Sequence, residues 1–119
     1  MYEPPGRVTI APDVLIAIAR LTTLSVPGVV QMAPTGFQGF LRRGGPEGVL
    51  LEVNDGCVRF DLFIVADANA NLRQVGQKIQ AEIARAIRDM VGMDIEAINV
   101  HIQDVVYTEL SADQITRSP

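Results

Sequence analysis

The chain of 119 residues has no tryptophan, four phenylalanines, two tyrosines and one cysteine, and His101 is its one histidine. Each scarcity removes a class of protein. A lone Cys57 cannot close an intramolecular disulfide or supply a thiolate cluster, and such usage fits a reducing compartment. One His and one Cys without near-neighbour ligands match no closed zinc pattern, so no metal and no cofactor is expected. Positive charge is also short. Ten Lys and Arg against fourteen Asp and Glu leave a net charge of −4, which argues against nucleic acid as a partner, since that affinity rests on a basic field around the phosphates. No apolar run approaches the roughly 20 residues that span a bilayer, and Met1-Tyr2-Glu3-Pro4-Pro5 lacks a signal peptide's basic start and apolar run. The expectation is one cytoplasmic domain without direct transmembrane insertion, its core built from Val, Ile, Leu and Ala.

What is present is clearest from Asn71 to Val106. Leu72, Val75, Ile79, Ile83, Ile87 and Met90 recur at three- and four-residue steps and stack as one apolar stripe on a helix. Asn71 is placed to cap the first turn, Gln74 to complete a capping box, and Gly92 to end the helix in the left-handed conformation. Ile98, Val100 and Ile102 then alternate with Asn99, His101 and Gln103, as in a strand with one buried face.

Ahead of this unit, Arg7-Val8-Thr9-Ile10 reads as a short strand. Pro12 suits the first position of a helix reaching about Ser25, with Asp13 favourable beside the positive end of its dipole. Val14 to Leu21 is apolar over more than one stripe, so this helix is either sunk deep in the core or touched on a second side by another subunit. Val29 to Met32 forms a short strand before a long flexible loop at 33–48. Val49, Leu51 and Val53 begin a hairpin, Asp55-Gly56 has the residue types of a type I′ turn, and the strand returns from Cys57 to Ala66. Val58, Phe60, Leu62 and Ile64 share one face of it. The fold class is α+β, with two helices packed on one face of a small, mostly antiparallel sheet. The domain covers residues 1–106, and a tail follows at 107–119.

Candidate chemistry is sparse. A catalytic reading pairs His101 with Asp61 or Glu52 as an oriented base, or with Cys57 as a nucleophilic dyad; the alternative is a solvated histidine on the outer sheet face. Gly36-Phe37-Gln38-Gly39 and Arg42-Arg43-Gly44-Gly45 match neither the P-loop nor the dinucleotide fingerprint. The outer sheet face, with Glu52, Arg59, Asp61, Asn99, His101 and Gln103, lacks the stacked aromatics of an RNA platform. Phe37, Phe40, Leu41, Arg42 and Arg43 form an apolar and basic patch suited to docking on a partner or a lipid headgroup layer.

Several segments together carry a family likeness: Gly6 to Val14, Val26-Pro27-Gly28-Val29, Gly48-Val49, Val58 to Val65, Val91-Gly92-Met93 and Ile98 to Val105. In this series the chain resembles the alkaline shock protein family of cell-envelope stress response proteins, found mainly in Gram-positive and related bacteria, and specifically its short type. The resemblance implies no enzyme and no catalytic residues. Members of that family are abundant cytoplasmic proteins, some of which self-assemble and are held beneath the membrane by a membrane-anchored protein partner, so a self-associating scaffold or interaction protein, a homo-oligomer, is expected here. The alternative is a small-ligand or lipid-related binding protein using the 37–43 loop.

Overall fold

The computed structural model describes residues 4–33 and 48–108. The elements are α1 (Pro12–Leu24), β1 (Val29–Met32), β2 (Val49–Asn54), β3 (Cys57–Asp67), α2 (Leu72–Met90) and β4 (Asp94–Val106). Both helices cover one face of a four-stranded sheet, as an α+β two-layer arrangement. The predicted loop at 33–48 and tail at 107–119 lie almost wholly outside the described residues.

β3 is the strand on which the others assemble. Its second half, Leu62 to Ala66, is buried on both faces. Along one edge β2 pairs with it antiparallel, from Val49 opposite Leu62 to Asn54 opposite Cys57. Asp55 and Gly56 both have positive φ, at 50° and 79°, as the type I′ turn requires. β1 occupies the same edge further along, with Gln31 opposite Val65 and Met32 opposite Ile64. The handover falls at Phe63, whose N–H donates to the Gly48 carbonyl at 2.9 Å and whose carbonyl accepts from Ala33 N–H at 2.7 Å. Ala33 and Gly48, the two flanks of the 34–47 stretch, are therefore held side by side.

On the other edge β4 runs parallel to β3 over its whole length. Two of the three pairings are antiparallel, as expected, but the longest is parallel, because the chain must cross the sheet through α2 and re-enter in the same direction. α2 starts at the predicted cap, where Asn71 Oδ1 accepts the Gln74 N–H at 3.0 Å without a reciprocal bond from the Gln74 side chain, and Gly92, at φ 77°, donates its N–H back to the Ile87 carbonyl at 2.9 Å. Val75, Ile79, Ile83 and Ile87 are buried against Val58, Phe60, Leu62 and Ile64 of the sheet, whereas Leu72 and Met90 are exposed at the helix ends.

One predicted element is absent. Residues 7–10 are not a strand, and Val8 is 90% exposed. Two alternating apolar residues ahead of a proline that opens a helix leave no length for pairing, and the β3 edge is already taken by β1 and β2.

Candidate functional site

Strand alternation sends Arg59, Asp61 and Phe63 to the sheet face away from the helices. The parallel register sets Asn99 opposite Asp61 and His101 opposite Phe63. The result is a connected polar cluster. Asp61 Oδ1 accepts from His101 Nε2 at 2.9 Å and from Asn99 Nδ2 at 3.2 Å, while Arg59 Nε lies 3.9 Å from Oδ2 and Arg59 Nη1 lies 3.8 Å from Glu52 Oε1. The His101 ring stacks on Phe63, with centroids 4.6 Å apart and planes 14° apart, and helps to close the small apolar cluster of Phe63, Val65 and Ala33 beneath.

This arrangement joins some of the sequence candidates and separates others. Asp61 and His101 meet. Cys57 pairs with Asp94, six positions along the strand from the level of His101, or roughly 20 Å at about 3.3 Å per residue, so the Cys57–His101 dyad does not form. Glu52 sits opposite Arg59 and pairs with it, not with His101. His101 is 41% exposed on the open face, and Asp61 already accepts two hydrogen bonds at one oxygen. A base needs an oriented imidazole and a bounded substrate site. Two recesses among the described residues, about 420 Å³ at the start of α2 and about 250 Å³ between α2 and β4, are lined by neither His101 nor Cys57. Among the described residues no group of three or more His, Cys, Asp and Glu is placed to hold a metal ion. Phe37, Phe40, Leu41, Arg42 and Arg43 lie outside the described residues.

A second surface stands on α1. Leu15, Ala19 and Thr23 face the core, and the buried Thr23 hydroxyl is satisfied by donating to the Ala19 carbonyl at 2.7 Å. At ~100° per residue, Val14, Ala17, Leu21 and Leu24 fall on the opposite side. Val14 is 46% exposed, Leu21 59% and Leu24 39%. Deep burial of α1, one of the two readings its sequence allowed, is therefore not what the fold provides: α1 carries a buried stripe and an open apolar stripe. Sequence periodicity revealed the excess of apolar residues but not which part stayed uncovered.

The sequence model of the alkaline shock protein 23 family, described as having a cell envelope-related function, matches residues 2–107. The chain is similar to YqhY of Bacillus subtilis, at 27% identity over 106 residues, covering 86% of this chain and 78% of that protein. It is similar to Spy1535 of Streptococcus pyogenes serotype M6, at 28% over 103 residues, covering 85% and 80%. Among solved structures, a zinc form of the MamM CTD superposes with a TM-score of 0.55 at 15% identity, covering 83% of this chain and 88% of that one. A second MamM CTD structure gives 0.53 at 19%, covering 77% and 95%. These structural likenesses concern the fold alone. No helix among the described residues is long and apolar enough to cross a membrane. The match over nearly the whole chain settles its kinship: the chain belongs to the alkaline shock protein 23 family, whose function is related to the cell envelope.

Proposed function

We propose that the protein is a non-enzymatic scaffold of the cell envelope, a cytoplasmic interaction module that self-associates and reaches the membrane through a membrane-anchored partner protein. The observation that carries this reading is the open apolar stripe of α1, in which Leu21 is 59% exposed. Scattered exposed apolar residues are ordinary on a soluble protein, but a stripe continuous over the length of a helix marks a contact surface. The non-enzymatic part is supported by the Asp61–His101 pair, which lies on the outer sheet face away from Cys57, the one cysteine of the chain.

The test is in cells. Replacing the native copy by Leu21→Asp removes the apolar contact at a solvent-facing position. Growth under cell-wall stress then falls toward that of a deletion strain, at unchanged protein level. Wild-type growth of that strain would contradict the scaffold reading.

A second reading, binding of a small ligand or lipid surface through Phe37, Phe40, Leu41, Arg42 and Arg43, is favoured by the placement of Ala33 and Gly48. Their adjacency makes the stretch between them leave and rejoin the sheet at one point, a suitable base for a docking loop. Under this reading, Phe37→Ser with Phe40→Ser abolishes binding to anionic liposomes and leaves the melting temperature nearly unchanged. Unaltered binding would exclude it.

A further inference from the structure

The distribution of residues around α1 determines what its open stripe fits. Ala17 lies at the middle of the stripe, with Val14 on one side and Leu21 on the other; Leu24 stands at the far end, and Ile10, 39% exposed, just ahead of the helix. Asp13 and Arg20, the two charged residues of α1, are two turns apart and so fall on the same flank of the stripe. Neither joins an ion pair among the described residues, and Arg20 Nε is buried with no hydrogen-bond partner there.

A two-fold axis perpendicular to an antiparallel helix pair leaves each flank on its own side and reverses the order of residues along it. Placed at Ala17, such an axis sets Ala17 against Ala17 once, and Val14 against Leu21 and Asp13 against Arg20 twice each, with Leu24 at the N-terminal end of the partner helix. One position of the axis satisfies every residue of the stripe together with both charges. The small side chain falls where the helices come closest, and the unpaired cation of each copy meets the unpaired anion of the other.

We infer that the occupant of this surface is a second copy of the chain, docked through an antiparallel, two-fold α1–α1 contact centred at Ala17 and fixed in register by reciprocal Asp13–Arg20 pairs. This rests on the reading of the protein as self-associating. The contact of one helix of thirteen residues is at the small end of protein interfaces, so the dimer is weak and concentration-dependent.

The test is sedimentation equilibrium on the full chain as wild type, Asp13→Arg, Arg20→Asp and the double reversal Asp13→Arg with Arg20→Asp, with melting temperatures measured alongside. Each single reversal places two like-charge pairs in the contact and weakens the dimer about 3- to 10-fold, and the double reversal restores it to within about 2-fold of wild type. As an independent readout, Ala17→Cys in a Cys57→Ser background is oxidised at a concentration where the dimer is populated. A covalent dimer through position 17 is expected, and a Glu82→Cys control on the same background gives none. Equal dimerisation by all four charge variants, or no position-17 disulfide from a dimeric protein, overturns the register while leaving self-association intact. A wild type that stays monomeric at every concentration overturns both, and leaves the stripe to a different partner.

Discussion

Phe63 is where three strands and the outer face meet. Its backbone holds the start of β2 and the end of β1, and its ring lies under His101. The tight packing of this junction falls on Gly48, at φ 76°, where a Cβ would sit 2.6 Å from the Ala33 carbonyl oxygen and 2.9 Å from that of Phe63. Gly56 shares a positive φ of 79° but has nothing within 4 Å of a Cβ. Gly56→Ala therefore costs only the conformational strain, about 1–2 kcal/mol, and Gly48→Ala adds a backbone clash and costs at least about 3 kcal/mol. Urea denaturation of the two variants measures the difference. His101→Ala loses one half-exposed hydrogen bond and a stack on Phe63, and the same measurement gives a loss of about 1 kcal/mol with the fold retained. The sequence placed Asp61, Asn99 and His101 on one face and left Asp61, Glu52 and Cys57 all open as partners of His101. Their meeting depends on the register of a parallel pairing closed through a helix, which no local period encodes.

Among the elements, α2 is the most legible from sequence. Its cap, its stripe and its stop are local signals, and each appears in the structure where the residues put it. Asn71→Ala removes the acceptor of the Gln74 N–H and lowers stability by about 1 kcal/mol, read as a shift in the thermal midpoint with no change in oligomeric state. β4 shows what period alone misses. Its alternation predicted a strand with one buried face, but it lies at the sheet edge, with Ile98, Val100 and Ile102 only partly buried. Two bulges, where Glu96 and Gln103 are extra residues against β3, twist this edge, and Gln80 Nε2 donates to the Ile98 carbonyl at 3.0 Å. Both features hinder addition of a further strand. Against the protected β4 edge, the apolar stripe of α1 is the more open of the two surfaces. The strand expected at residues 7–10 failed for want of length, since two alternating apolar residues directly precede the helix that opens at Pro12.

For the whole molecule, the helix layer and the sheet bury a mainly aliphatic core between them, apart from the small Phe63 cluster, and the excess of apolar residues in α1 remains outside it. The core was readable from the sequence because burial in a helix or a strand has a period. The identity of the uncovered stripe was not, since which side of a doubly apolar helix meets the sheet is decided by packing with α2 and the strands. Under the proposed reading, a protein whose contacts run through that stripe can lose assembly without losing its fold. Light scattering coupled to size-exclusion chromatography, across a wide concentration range for wild type and Leu21→Asp, tests this most directly. The account predicts a wild-type mass that rises with concentration, a Leu21→Asp protein that stays at monomer mass, and equal melting temperatures for the two dilute proteins. A wild type that remains a monomer throughout, or a Leu21→Asp protein that associates as the wild type does, would contradict it.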